Sequence, residues 1–263
     1  MRNTPGVLAA DDAPGERTPI VLLHGLTATR RYVVHGSNGL QRAGHHVVAY
    51  DARGHGESDP AQPYDYAALA ADLETVLDQH GIDRAVLAGA SMGGHTALRF
   101  ALDHPDRVAG LAVITPAWLP DEPRDLDRWD ALARGLREGG VEGFVAAYGD
   151  PPVPDAWKET VFRVLRQRLS KHEHPEAVAD ALEQVPRSAP FGGAEDLRTI
   201  TAPTVVVASR DEADPGHPLH VGEAYAAAIP DAQLVVEEPG KSPIAWQGGQ
   251  LSRVIAELAA HAA

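Results

Sequence analysis

Apolar residues fall along the chain in short runs bounded by turn-forming residues, at 20–23, 46–50, 85–88, 111–114, 204–208 and 233–237. Runs of that length, with little polar alternation, predict strands buried on both faces, as in a parallel sheet. Between several of them the period changes to that of a helix. Residues 66–80 put Leu69, Leu73, Val76 and Leu77 on one face, and Gly81 suits the C-terminal cap. Residues 93–103 follow the third run, and residues 219–228 follow the fifth. The alternation predicts an α/β fold, a mostly parallel central sheet flanked by helices.

That rhythm breaks between about Pro116 and Ala202. The stretch opens on the Pro-rich, charged segment 120–124 and continues through helical patterns at 126–138, 155–171 and 175–184. It holds no strand-like run. A helical cap, residues 117–201, is therefore expected as an insertion into a core of residues 1–116 and 202–263. Placed after one strand and before the next, it would lie over the carboxyl ends of the strands, where open α/β sheets bind ligands. Gly139-Gly140 and Gly192-Gly193 lack the setting of a phosphate loop and read as turns.

Composition narrows the function. The 263 residues, 44% of them hydrophobic, suffice for one substantial core. A formal charge of −14 would repel nucleic acid. The acidic residues are scattered, a pattern of solubility rather than of a binding patch. Without cysteine there can be no disulfide, thiolate nucleophile or thiolate metal site. No apolar run approaches the roughly 18 residues of a membrane span, and residues 1–19 lack the apolar stretch of a signal peptide. The expectation is a soluble cytoplasmic protein with a small-molecule substrate, no membrane or nucleic-acid partner and no cofactor. No pattern specifies the oligomeric state.

The strongest chemical signal is Gly89-Ala90-Ser91-Met92-Gly93, set between the third apolar run and a helical pattern. In such a strand–turn–helix, the nucleophile elbow, the serine takes a strained backbone conformation that exposes its hydroxyl. Small flanking residues let strand and helix approach closely. Backbone N–H groups at the start of the helix point toward developing negative charge.

Further segments carry a resemblance. His24-Gly25-Leu26 ends the first run, and Asp51-Ala52-Arg53-Gly54-His55-Gly56-Glu57-Ser58 follows the second. Ser91-Met92-Gly93-Gly94 leads on to His104-Pro105-Asp106-Arg107-Val108, and Pro230-Asp231-Ala232 precedes the last run. Together with the elbow they resemble the α/β-hydrolase superfamily over most of the chain outside the cap. The resemblance implies a serine hydrolase of the carboxylic-ester class, with Ser91 as nucleophile and the N–H groups of Leu26 and Met92 as oxyanion hole. It implies that His24 chiefly orders its loop, with Gly25 beside the substrate.

Family order places an acid after the run 204–208, where Asp211 is favoured and Asp214 is the alternative. The histidine should follow the run 233–237. That position reads Gly240-Lys241-Ser242-Pro243, so Lys241 stands where the base is expected. A lysine must be neutral to accept a proton, and a nearby carboxylate keeps it charged. An Asp211–Lys241 ion pair is accordingly preferred to Lys241 as base. His217, six residues after Asp211, is a possible imidazole, as are His172 and His174 in the cap and His95 one helical turn beyond Ser91. His261, near the C-terminus, is an improbable one. A spacing of two does not bring His172 and His174 to one helical face, so no metal site is expected. Trp118 ends a core strand where a pocket should open, and with Gly25, His24 and His172 it forms the candidate substrate-binding set.

Three functions compete. The first is a hydrolase of a small to mid-sized, partly apolar ester, thioester or lactone that uses a non-standard base. The second is a lyase, isomerase or cyclase on the same scaffold, and the third is a catalytically silent ligand-binding protein. The intact elbow favours the first, and the missing histidine favours the others.

Overall fold

A computed structural model describes residues 5–210, 216–238 and 246–262. Its strands are β1 (Ala10–Ala13), β2 (Arg17–Leu23), β3 (His45–Tyr50), β4 (Ala85–Ala90), β5 (Val108–Ile114), β6 (Thr204–Ala208) and β7 (Gln233–Val236). They form one sheet in the order β1-β3-β2-β4-β5-β6-β7. All neighbours are parallel except β1, which runs antiparallel to β3 with Ala10 opposite Tyr50. The helices are α1 (Gly39–Arg42), α2 (Tyr66–Gln79), α3 (Met92–Asp103), α4 (Leu126–Tyr148), α5 (Asp155–Leu169), α6 (Pro175–Gln184), α7 (Ala194–Leu197), α8 (Leu219–Ala228) and α9 (Gly248–His261). The sheet, its flanking helices and the helical insertion α4–α6 match the expected fold class.

β5 is buried along its whole length and β4 up to its last residue, which is why both read as unbroken apolar runs. One face of the sheet packs on α2, α3 and α8 through Leu73, Leu77, Leu98, Phe100 and Tyr225. The other packs on α1 and α9 through Leu40, Leu251 and Ile255. Asp65 starts α2 as its N-cap, its side chain accepting from Ala68 N–H at 2.7 Å. Caps of this kind contribute about 1 kcal/mol.

Several elements depart from expectation: α9 was not foreseen, and β7, at the sheet edge, is exposed to half-buried rather than buried on both faces. β1 was not foreseen, because Ala-Asp-Asp-Ala contains no apolar run. It is fixed by side chains instead: Asp12 accepts from Nε2 of His46 on β3 and Nδ1 of His80 after α2, both at 2.8 Å. The first cap helix was expected to stop at 138, yet α4 continues to Tyr148 across a break at Gly140, whose φ of 59° suits glycine.

The loop after β3 is the most heavily cross-braced part of the core. Arg53 is 2% exposed and grips Asp72 of α2 with two 2.6 Å bonds from Nε and Nη2, while Nη1 reaches the carbonyls of Ala61 and Pro63 and Nη2 also that of Ala68. Asp51 accepts from the N–H groups of Arg30 and Glu57 and from the Arg30 guanidinium. These bonds hold residues 51–58 as a rigid wall beside the loop that follows β2. The third apolar cluster lies in the cap, with Leu132, Leu136, Phe144, Val178 and Leu182 at its centre, and it continues onto Leu26 and Met92 of the core.

Candidate functional site

β4 delivers Ser91 at the carboxyl edge of the sheet, and α3 begins at the next residue. Ser91 has φ 49° and ψ −114°, a conformation that costs a non-glycine residue roughly 1–3 kcal/mol. It persists because its neighbours leave no alternative. Ser91 N–H donates to Ile114 O at 2.9 Å, and Ser91 O accepts the first helical bond from His95 N–H at 3.0 Å. A side chain on Gly89 would collide with the Gly93 carbonyl, and one on Gly93 with the Leu23 carbonyl. The small residues of the motif thus let β4, α3 and the end of β2 meet backbone to backbone.

The loop after β2 passes directly over this turn. A Cβ added to Gly25 would lie 3.6 Å from Ser91 Cβ. Among the described residues neither Leu26 N–H nor Met92 N–H donates to a protein acceptor. Two N–H groups without partners, one at a helix start and one on the adjoining loop, can receive an oxyanion.

The histidines divide by their partners. His24 is 2% exposed, with Nδ1 on Gly25 O at 2.8 Å and Nε2 accepting from Ala52 N–H at 2.9 Å. Burial holds its pKa down at about 3, with the nearby His55 adding to the effect. His172 lies in the turn between α5 and α6, where Nδ1 accepts from Gly56 N–H at 2.9 Å and Nε2 faces Thr27 O at 3.3 Å. Burial likewise lowers it to about 3. His95, 3% exposed, bonds Tyr66 Oη through Nδ1 at 3.0 Å, and Nε2 faces Ala117 N–H at 3.4 Å. Burial, with a smaller contribution from the charge of His217, takes it to about 3. In each of these three rings both nitrogens are engaged. His217, half-buried ahead of α8, is thereby placed within electrostatic reach of His95, one turn along α3 from Ser91.

Asp211, Asp214 and Lys241 lie outside the described residues. The chain reaches the first two from Arg210, whose N–H donates to Glu237 Oε1 at 2.8 Å. Trp118 stands in an aromatic group, edge-on to Phe191 at 4.8 Å with the Arg124 guanidinium over its ring, and Tyr225 Oη donates to its carbonyl at 2.7 Å. His174 is the N-cap residue of α6. No group of three or more carboxylates and histidines among the described residues could hold a metal ion. No described helix is long and apolar enough to cross a membrane.

Sequence reasoning passed over His55, although it sits within the loop quoted from 51 to 58. Its ring is 1% exposed and faces the carbonyls of Arg53 at 2.9 Å and Leu26 at 2.7 Å. Tyr66, the partner of His95, was read only as a helix start. Neither position differs in sequence from an ordinary polar or apolar residue, so only the packing shows what it touches.

The comparisons agree with this architecture. A family model described as alpha/beta hydrolase fold matches residues 18–248. The chain is 32% identical over 203 residues to a protein provisionally named carbamate hydrolase RutD from Variovorax paradoxus, covering 76% of each chain. It is similar to a thermophilic esterase from Thermogutta terrifontis, with 28% identity, a TM-score of 0.79 and coverage of 100% of this chain and 98% of that one. Est816, an N-acyl homoserine lactone degrading enzyme, matches at 26% identity and a TM-score of 0.69, covering 97% of this chain and 95% of that one.

Proposed function

Because the chain belongs to the alpha/beta hydrolase fold family, we propose that it hydrolyses a small to mid-sized, partly apolar ester, thioester or lactone with Ser91 as nucleophile. The strained turn at Ser91, beneath two unpartnered N–H groups, is the observation that carries this reading. Ser91 Oγ attacks the carbonyl, and Leu26 and Met92 N–H groups receive the oxyanion. The alcohol, thiol or lactone oxygen leaves, and water then releases the acid from the acyl-enzyme. Apolar cap residues around Leu26 and Met92 suit an apolar acyl group. Esters, N-acyl homoserine lactones and carbamates, the compounds for which the relatives are named, all hold a carbonyl bonded to a heteroatom, as this mechanism requires.

His217 is the base that best fits the surroundings. His24, His95 and His172 have both ring nitrogens engaged. His217 follows β6, two strands from the elbow, within electrostatic reach of His95, with Asp211 and Asp214 six and three residues before it as candidate carboxylate partners. Lys241 is the other base to be tested.

The experiment measures kcat/KM for p-nitrophenyl esters of increasing acyl length, and for a lactone and a thioester, in the wild type, His217→Gln and Lys241→Ala. His217→Gln is expected to lower kcat/KM by about 10²- to 10⁴-fold, the range of general-base catalysis, and to remove an inflection near pH 6–7. Lys241→Ala is expected to act mainly on KM. Loss in Lys241→Ala with His217→Gln unaffected would move the base to the lysine. No turnover of any of the three substrate classes would refute the hydrolase reading.

A further inference from the structure

Three consecutive carbonyl groups of the loop after β2 each face a different histidine, and the single proton of neutral His55 is shared between Leu26 O and Arg53 O. Gly25 O is 2.8 Å from His24 Nδ1, Leu26 O is 2.7 Å from His55 Nε2, and Thr27 O is 3.3 Å from His172 Nε2. The far side of two rings fixes their tautomers. His24 Nε2 accepts from Ala52 N–H and His172 Nδ1 accepts from Gly56 N–H, so the protons sit on His24 Nδ1 and His172 Nε2. The rings also pack in series, His24 on His55 at 5.3 Å and His55 on His172 at 5.5 Å.

His24 and His55 come from the core, but His172 comes from the cap. The same cap segment makes two further bonds to this region: Arg168 Nη2 donates to Thr27 Oγ1 at 2.8 Å, and Glu173 N–H donates to Gly56 O at 2.9 Å. A peptide unit is planar, so holding its carbonyl also fixes the direction of the N–H in the same plane. His24, holding Gly25 O, orients Leu26 N–H. The grips on Leu26 O and Thr27 O stop the next two planes from turning, and with them the loop as a unit.

We propose that His172 is a positioning residue, through which the seated cap holds the Leu26 N–H in its oxyanion-binding orientation. The proposal rests on the reading of Leu26 as an oxyanion donor. It makes the catalytic step depend on the cap being seated: a substrate that lifts the turn at 170–174 on entry loosens the loop, and reseating restores it.

The test compares His172→Ala, His172→Gln and Arg137→Ala. Arg137 bonds Asp180 and Glu183 within the cap and has no contact with the loop, so its loss weakens the cap alone. Two quantities are read: kcat and KM for p-nitrophenyl butyrate, and backbone hydrogen exchange of peptides spanning residues 24–29. His172→Ala is expected to lower kcat about tenfold, a fraction of the loss from deleting an oxyanion donor, with KM within about twofold. It also speeds exchange in 24–29. Glutamine, which can both accept and donate, recovers part of both effects, and Arg137→Ala changes neither. Equal losses in His172→Ala and Arg137→Ala would overturn the proposal, as would unchanged exchange in His172→Ala. A wild type without esterase activity would refute the hydrolase reading, and the exchange comparison would still decide whether the cap orders this loop.

Discussion

Ser91→Ala is expected to lower ester hydrolysis by about three orders of magnitude or more while the fold stays intact. Alanine keeps both backbone bonds that define the turn, from Ser91 N–H to Ile114 O and from His95 N–H to Ser91 O. It inherits the same φ of 49° and gains no relief of strain. Only the hydroxyl is lost. On the proposed reading the Leu26 and Met92 N–H groups still bind a carbonyl oxygen, so the expected residual rate is that of the oxyanion site acting without a nucleophile. Kinetics on the variant, beside its urea midpoint, check both parts. Full activity in Ser91→Ala would mean that water attacks directly or that the site lies elsewhere.

Mild acid is the second large perturbation. His24 and His95 are buried and held at about pKa 3, against about 6.5 in an unfolded chain. Below pH 6.5 the unfolded state binds protons that the folded state refuses, so stability falls as pH falls. The contribution is fully present above about pH 6.5 and is lost progressively toward pH 3. Each fully buried histidine adds a slope of about 1.4 kcal/mol per pH unit. Two of them predict a loss of about 2–3 kcal/mol between pH 6 and pH 5, and half-buried His172 adds less. Urea midpoints measured across that interval test it. His95→Gln, which cannot titrate, should flatten the curve by less than half, because His24, His55 and His172 still titrate. A stability flat down to pH 5 would contradict the placement of these rings.

The sheet was legible because β4, β5 and β6 and the later residues of β2 and β3 are buried and so appear as apolar runs. β1 escaped because Asp12 anchors it through two histidines rather than through buried apolar side chains. Ser91 was legible for a different reason. A serine forced to positive φ between touching backbones needs glycines at fixed offsets, and that spacing survives in sequence. His55 and His172 were not legible as a set. They lie 117 positions apart, and what unites them is the loop carbonyls they face, which no local pattern encodes. His172 was foreseen at the site as a substrate contact or a possible base, and in the structure both its ring nitrogens face protein groups.

The activated state of Ser91 is the centre of the account, and a fluorophosphonate probe measures it most directly. The wild type is predicted to label on a single peptide containing Ser91, faster than Ser91→Ala by about three orders of magnitude. The labelling rate should rise with pH through an apparent pKa near 6–7, as a histidine base requires, or at higher pH if Lys241 serves instead. Labelling no faster than in Ser91→Ala would contradict it, and the turn would then be a ligand-binding feature on a scaffold without acyl-enzyme chemistry.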